Sequence, residues 1–202
     1  MSLELPYAAL QEPDYDKINP VRKVPALIRE DGQGVFESSI ILNYLEEKYN
    51  NNLCFIPDTA EKRQEMHLII RLHDLYVTSP NSSQPGFSHT QGAMYLTPVP
   101  TKFISSVRCI PDRSVRAKKI AELWFQLNEL EELMYEGPYI MGDKLTLADF
   151  TWFPTTIFME YMLPKIFGWP DIFNNNNPNI LPKLHSWWNY EQKHHPEFKK
   201  VK

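Results

Sequence analysis

The sequence reads Asn-Pro-Val-Arg-Lys-Val-Pro-Ala-Leu over residues 19–27, and it reads Phe-Glu-Ser-Ser-Ile-Ile-Leu-Asn-Tyr-Leu over residues 36–45. Between these two stretches lies the turn sequence Asp-Gly-Gln-Gly at residues 31–34, where the glycines are free to adopt positive φ. An apolar run precedes this turn, and Val35-Phe36 resumes an extended run after it. The pattern therefore predicts a β-hairpin that spans residues 24–36.

An amphipathic helix is predicted directly after the hairpin. Apolar residues recur at helical spacing over residues 41–45. Ser38 and Ser39 precede this run, and serine is a favoured residue at the N-terminal cap of a helix. The pattern ends near Tyr49, where asparagines follow, and residues 50–60 are interpreted as a linker.

The sequence after the linker favours helices. One helix is predicted over residues 61–77 and another over residues 113–136, where Gly137-Pro138 would end it. Between them, residues 78–111 are rich in Pro, Ser, Gly and Thr and are interpreted as a long, partly irregular excursion. Connections of this length are usually functional or mobile.

Two further helices are predicted near the C-terminal end. The sequence Leu-Thr-Leu-Ala-Asp-Phe at residues 145–150 opens the first, because Thr146 and Asp149 form a short version of the capping box. The second follows an asparagine-rich loop at residues 170–179. The whole chain is therefore predicted to be a small mixed α/β piece followed by an all-helical block of about five helices.

The composition excludes several classes of protein. Hydrophobic residues make up 43% of the 202 residues and the net charge is −4, so the chain can build a core and has no electrostatic attraction to nucleic acid. The two cysteines, Cys54 and Cys109, form no CxxC pair, and the histidines show no metal-ligand spacing. Because no apolar run approaches the roughly 18 residues of a membrane span and no signal-peptide pattern is present, we expect a cytoplasmic protein without metal.

Three segments, in this order, resemble the cytosolic glutathione S-transferase family. Residues 19–27 are similar to the family's N-P-x-x-K-V-P-A-L, residues 36–45 to its E-S-x-x-I-x-x-Y-L, and residues 142–149 to its G-D-x-x-T-x-A-D. The resemblance implies an α/β plus all-α protein. Its first domain, at residues 1–50, would be thioredoxin-like, glutathione-binding and N-terminally incomplete, and its second, at residues 61–202, would be the helical glutathione-transferase domain.

The resemblance implies a glutathione site made of Lys23, Val24, Pro25, Glu37 and Ser38. A cis peptide would precede Pro25, and the Val24 backbone would pair in strand fashion with the cysteinyl unit. The helix N-terminus at Ser38 would bind the γ-glutamyl carboxylate, Glu37 the ammonium group and Lys23 the glycyl carboxylate. From the residues alone, Pro25 also fits a plain strand-start proline, Ser38 a simple helix cap and Lys23 a solvated surface residue.

The function implied by the resemblance is conjugation of glutathione to a small hydrophobic electrophile by thiolate attack, in a homodimer. Candidate residues of the second-substrate pocket come from the helix at 61–77 and the 78–111 segment: Met66, Ile70, Tyr76, Met94 and Tyr95. Because Met and Tyr fill cores as readily as they line pockets, a packing role for these residues stays open.

The sequence departs from the family's pattern at its beginning. The family starts with a strand and a helix that carries the catalytic Tyr, Ser or Cys, whereas four residues precede Leu5 here. Residues 5–10 are interpreted as a short strand after that helix, so the catalytic residue is unassigned and Tyr7 is no substitute. On this ground we expect weak glutathione binding and slow conjugation. Three alternatives stay open: an enzyme, a binding or structural protein that keeps the fold without the chemistry, and a truncated sequence of an active enzyme.

Overall fold

The structure is a computed structural model, and it describes residues 10–49, 54–79, 86–87, 113–169, 172–173 and 179–195. The chain divides into two compact units, Met1–Cys54 and Phe55–Lys202. The predicted strand at 5–10, apart from Leu10, and most of the 78–111 excursion lie outside the described residues. None of the helices in the described ranges has the length and apolar character that crossing a membrane requires.

A short helix, α1 at Pro13–Asp16, opens the described part of the N-terminal unit. Proline is favoured at the first helical position because its φ is already helical and its missing N–H needs no acceptor there. Tyr15, the third residue of α1, is buried. The sequence patterns do not predict α1, because four residues are too few to show an apolar repeat.

The predicted hairpin and helix follow α1. Strand β1 is Ala26–Ile28 and strand β2 is Gly34–Phe36; they pair antiparallel, with Ala26 opposite Phe36 and Ile28 opposite Gly34. Helix α2 spans Ser38–Tyr49. The prediction of a hairpin at roughly 24–36 is confirmed, with its first strand starting at residue 26. The helix predicted to begin at Ser38 or Ser39 and to end near Tyr49 is confirmed as well.

Two local contacts fix the shape of the hairpin. In the turn, the Asp31 carboxylate accepts the N–H of Gln33 at 3.0 Å and pairs with the Arg29 guanidinium. In β2, a Cβ atom on Gly34 would lie 2.0 Å from the carbonyl oxygen of Ile18. The glycine therefore allows the loop after α1 to pack directly on the backbone of β2.

The described part of the helical unit contains helices α3 at Ala60–Leu72, α4 at Arg113–Leu133, α5 at Leu147–Met162 and α6 at Pro182–His194. Helices α3 and α5 continue into π-helical turns at His73–Val77 and Leu163–Phe167. The predicted helices are confirmed at all four places. Helix α4 ends before the predicted residue 136 because the chain folds back, and the N–H of Tyr135 donates to the carbonyl of Ile140 at 3.0 Å instead.

The core of the helical unit is built from aromatic and aliphatic side chains. Fully buried members on α4, α5 and α6 include Leu123, Leu127, Leu130, Trp152, Trp187 and Trp188. The first three lie at helical spacing along α4, as the apolar pattern predicts. Trp124 also belongs to that pattern, but it is partly exposed and stacks edge-on against Trp169. The buried side of α4 therefore includes these three leucines, and Trp124 lies at its edge.

A buried carboxylate joins the start of α5 to the rest of this core. One oxygen of Asp149 accepts the N–H and the hydroxyl of Thr146, at 2.8 and 2.9 Å. The other oxygen accepts the N–H of Ile140 and the indole N–H of Trp187, both at 2.9 Å. The predicted Thr146–Asp149 capping pair is confirmed. Burial raises the pKa of Asp149, while the four hydrogen bonds favour its ionised form.

Candidate functional site

The five residues predicted to bind glutathione lie at one end of the hairpin. The last paired rung of the sheet joins Ala26 to Phe36. Residues 23–25 run into β1 at this rung and residues 37–38 leave β2 at it, so the antiparallel register brings the two segments to the same end. All five side chains are exposed. We call residues 23–25 and 37–38 the hairpin–helix surface.

Val24 presents an open backbone on this surface. The Val24–Pro25 peptide is cis, which confirms the prediction made for this bond. Val24 is 55% exposed, and in the described part of the chain its N–H and carbonyl take part in no hydrogen bond. An extended peptide could therefore pair with Val24 as a neighbouring strand does, because both a donor and an acceptor are available.

The N-terminus of α2 forms the other half of the surface. The carbonyl of Glu37 accepts the N–H of Ile41 at 3.0 Å, which marks Glu37 as the residue that starts the helix. The N–H groups of the first helical residues, beginning with Ser38, have no acceptor within the helix and carry the positive end of its dipole. Glu37 has a φ of 70°, in the left-handed region that non-glycine residues rarely adopt. Such backbone conformations cluster at binding sites.

The charges of the surface suit a ligand that carries both signs. Lys23 is exposed, and no carboxylate among the described residues lies within ion-pair distance of it. Its neighbour Arg22 is different, because it makes two hydrogen bonds of 2.5 Å to Asp16, which raises the pKa of Arg22 and lowers the pKa of Asp16. Lys23 and Glu37 are therefore the charges available to a ligand here.

Two buried residues that the sequence patterns missed lie beneath this surface. The carbonyl of Lys23 accepts a hydrogen bond from the Tyr15 hydroxyl at 2.6 Å and another from the Asn19 side-chain amide at 2.7 Å. Asn19 opens the Asn-Pro stretch at residues 19–27, and asparagine commonly bonds to nearby backbone in turns. Tyr15 has no comparable signal, because its partner is eight residues away in an irregular loop.

The candidates for the second-substrate pocket occupy different environments. Met66 and Ile70 on α3 are core residues, 0% and 4% exposed, so their burial favours the packing role that the sequence left open. Tyr76, in the π-helical turn after α3, is 52% exposed and offers surface that a ligand could contact. Met94 and Tyr95 lie outside the described residues. Across the described ranges, no group of three His, Cys, Asp or Glu side chains is placed to hold a metal ion.

Comparison with known protein families identifies both units. Residues 4–48 match the family model described as "Glutathione S-transferase, N-terminal domain", and residues 115–189 match "Glutathione S-transferase, C-terminal domain". The chain belongs to the glutathione S-transferase family. Its N-terminal unit is accordingly a thioredoxin-like domain with a small two-stranded sheet, and its second unit is the helical domain of that family.

Individual relatives are distant. A glutathione S-transferase domain-containing protein of Dictyostelium discoideum is 25% identical over 176 residues, which cover 81% of this chain and 61% of the relative. Glutathione S-transferase 3 of Zea mays is 29% identical over 153 residues, covering 73% of this chain and 60% of the relative. The solved glutathione transferase URE2P5 of Phanerochaete chrysosporium superposes with a TM-score of 0.69 at 20% identity, over 95% of this chain and 77% of that one.

The family assignment covers the hairpin–helix surface. The N-terminal glutathione S-transferase model spans residues 4–48, which include all five predicted glutathione-binding residues. The chain spans about three fifths of the length of the curated relatives it matches. A shared fold hosts many functions, so the activity of this glutathione S-transferase family member depends on the residues of the site itself.

Proposed function

We propose that this chain binds glutathione on the hairpin–helix surface and transfers it to a small hydrophobic electrophile. One observation carries the proposal: the open backbone of Val24 and the free N–H groups at the start of α2 lie at the same end of the hairpin. A ligand that fits this arrangement is an extended peptide with an anionic group at one end. Glutathione has this chemistry.

Each part of glutathione has a complementary group on the surface. The Val24 N–H and carbonyl pair with the cysteinyl backbone in the manner of an added strand. The Ser38 hydroxyl and the N–H groups at the start of α2 bind the γ-glutamyl carboxylate, favoured by the helix dipole. Glu37 pairs with the ammonium group, and Lys23 with the glycyl carboxylate.

The proposed reaction is attack by the glutathione thiolate on an electrophilic carbon. The thiol releases its proton to water, and its sulfur forms a bond to carbon. The bond that breaks is either the one to a leaving group, which departs with the electron pair, or the π bond of an activated double bond, whose pair moves to the activating group. A thiol pKa of about 8.5 leaves only a few per cent of the thiolate at neutral pH, so a donor beside the sulfur would accelerate the reaction. The residue that supplies this donor is not assigned.

The proposed function also concerns the cellular compartment of the protein and its oligomeric state. We place the protein in the cytoplasm, where glutathione is the main thiol pool, and we propose a homodimer. Apolar side chains on α3 and the π-helical turn after it support association, because Leu68 and Leu75 are each 46% exposed and lie about two turns apart. Tyr76, next to Leu75, is the described candidate for contact with the electrophile.

Turnover of a chromogenic electrophile tests the catalytic half of the proposal. The rate of coupling between glutathione and the electrophile is measured with and without the chain, with heat-unfolded chain as the control. A rate that rises in proportion to the folded chain and saturates with glutathione supports conjugation. Saturable glutathione binding without any rise in rate would instead favour the alternative, a protein that keeps the fold for binding or assembly.

A further inference from the structure

The carbonyl group of Lys23 is unusual on this exposed surface because two buried side chains hold it. Tyr15 is 7% exposed and Asn19 is 1% exposed, and both donate to this single oxygen, at 2.6 and 2.7 Å. Residues 21–25, by contrast, all have exposed side chains. Hydrogen bonds from two buried side chains thus hold the backbone of this exposed loop at a single carbonyl oxygen.

Further hydrogen bonds close the loop around Asn19. Its side-chain oxygen accepts the N–H of Val21 at 2.9 Å, and its carbonyl accepts the N–H of Arg22 at 3.0 Å. Its own N–H donates to the carbonyl of Tyr15 at 2.8 Å. Arg22 has a φ of 56°, which turns the chain so that the next carbonyl points back toward these donors. Asn19 therefore organises the whole segment from 19 to 23.

The planarity of the peptide bond transmits this restraint to Val24. The Lys23 carbonyl and the Val24 N–H belong to one peptide unit, and that unit is trans. In a trans peptide the carbonyl and the N–H point in opposite directions. Because Tyr15 and Asn19 hold the Lys23 carbonyl toward the interior, the Val24 N–H is directed away from it, toward the exposed side.

We propose that Tyr15 and Asn19 are positioning residues that direct the Val24 N–H toward the cysteinyl carbonyl of glutathione. This inference rests on the proposed function, and it adds two buried residues to the binding machinery without any contact between them and the ligand. Preorganising a donor lowers the conformational cost of binding. Loss of the restraint therefore weakens affinity for glutathione while the fold remains.

The test uses NMR spectra of the full chain labelled with 15N-valine, which report directly on the Val24 N–H. Tyr15→Phe removes one donor to the Lys23 carbonyl and leaves the ring in place. We expect the Val24 peak to move in Tyr15→Phe, and the Val35 peak, from strand β2, to stay. Glutathione affinity, measured by calorimetry, should fall about 3- to 10-fold, as expected for the loss of one hydrogen bond.

Two controls separate positioning from general destabilisation. Tyr49→Phe removes an exposed hydroxyl on α2 that lies 3.5 Å from Glu30, and it should change neither the Val24 peak nor the affinity. Asn19→Asp keeps an oxygen for the Val21 N–H but replaces the second donor to Lys23 by an acceptor, so it should move the Val24 peak and lower the affinity at least as far as Tyr15→Phe does. This second variant decides the question if Tyr15→Phe fails to fold.

The outcomes distinguish this inference from the proposed function. An unmoved Val24 peak and unchanged affinity in a folded Tyr15→Phe or Asn19→Asp variant would overturn the positioning role. If the unchanged chain itself shows neither binding heat nor a shift of the Val24 peak with glutathione, the proposed function is wrong. The inference that the Val24 N–H is directed toward glutathione is then wrong as well. Unfolding of both variants would also overturn the positioning role, because it would show that Tyr15 and Asn19 hold the fold as a whole rather than one N–H group.

Discussion

The indole N–H of Trp187 donates to a carboxylate oxygen of Asp149 at 2.9 Å, and both residues are buried. This hydrogen bond joins the first turn of α5 to the middle of α6, two helices that are far apart in the sequence. Because the same carboxylate also accepts from Thr146 and Ile140, one side chain satisfies four donors that would otherwise be buried without acceptors.

Asp149→Ala is expected to destabilise the helical unit by about 3–5 kcal/mol, because it leaves several buried donors without acceptors. Urea unfolding followed by tryptophan fluorescence measures the change in the free energy of unfolding. The exposed Asp143 provides a matched control, and Asp143→Ala should change that free energy by about 0.5 kcal/mol or less. Equal stabilities of the two variants would contradict this role for Asp149.

Gly34→Ala is expected to destabilise the N-terminal unit by about 1–3 kcal/mol, because the added Cβ would lie 2.0 Å from the backbone oxygen of Ile18. Gly32→Asn is the control: a Cβ atom on Gly32 would have no other atom within 4 Å, and asparagine is one of the few residues that visit positive φ. This variant should therefore lose less stability than Gly34→Ala, although the φ of +83° costs it some. Denaturant unfolding compares the two variants. A Gly34→Ala protein as stable as the unchanged chain would mean that the loop after α1 does not pack on β2 in this way.

The stability of the hairpin turn is expected to depend on pH through the ionisation of Asp31. The Arg29 guanidinium, with help from the Gln33 N–H, lowers the pKa of Asp31 from 3.8 to about 2. Because the folded-state pKa lies below the unfolded value, the pair stabilises the turn above pH 3.8, and this contribution is lost as the pH falls toward 2. A carboxyl NMR titration should place the Asp31 midpoint near 2, and clearly higher in Arg29→Gln, in which the Gln33 N–H still lowers it. If Arg29→Gln left the Asp31 midpoint unchanged, the Arg29–Asp31 pair would not be the cause of the lowered pKa.

A homodimer is expected in solution, with a mass of about twice the chain's 23.8 kDa by light scattering. Leu68→Glu and Leu75→Glu should each shift the equilibrium toward the monomer, because they place a charge on the exposed apolar surface of α3 and of the π-helical turn after it. Tyr161→Glu, at a similarly exposed position on α5, should leave the mass unchanged. A mass of about 23.8 kDa for the unchanged chain would contradict the proposed homodimer.

The sequence predicts those parts of the fold whose signals are local. The Asp-Gly-Gln-Gly turn and the serines before an apolar repeat are short patterns with direct backbone causes. The β1–β2 hairpin and α2 both form where these patterns indicate, with β1 starting two residues later than predicted. Helix α1 and the π-helical turns could not be predicted in this way. The former is too short to show a period, and a π-helical turn differs from an α-helix by hydrogen bonds that the apolar pattern does not encode.

The candidate site likewise contains some residues that the sequence predicts and others that it does not. Spacing and family resemblance pick out Lys23, Val24 and Ser38, but they give no hint of Tyr15, because its hydroxyl acts on a carbonyl across an irregular loop. The resemblance also offers Met66 as a pocket residue, and its complete burial was not predictable, since a methionine on an amphipathic helix fits a core and a pocket equally well.

Calorimetric titration with reduced glutathione tests the central claim, that the hairpin–helix surface binds glutathione, most directly. Saturable binding by the unchanged chain is expected, and in Ser38→Ala the affinity should fall about tenfold or more, because a hydrogen bond to a charged carboxylate is lost. Ser114→Ala, which removes an exposed hydroxyl near the start of α4, should bind as the unchanged chain does. No binding by the folded chain, or equal affinity in Ser38→Ala, would contradict the claim.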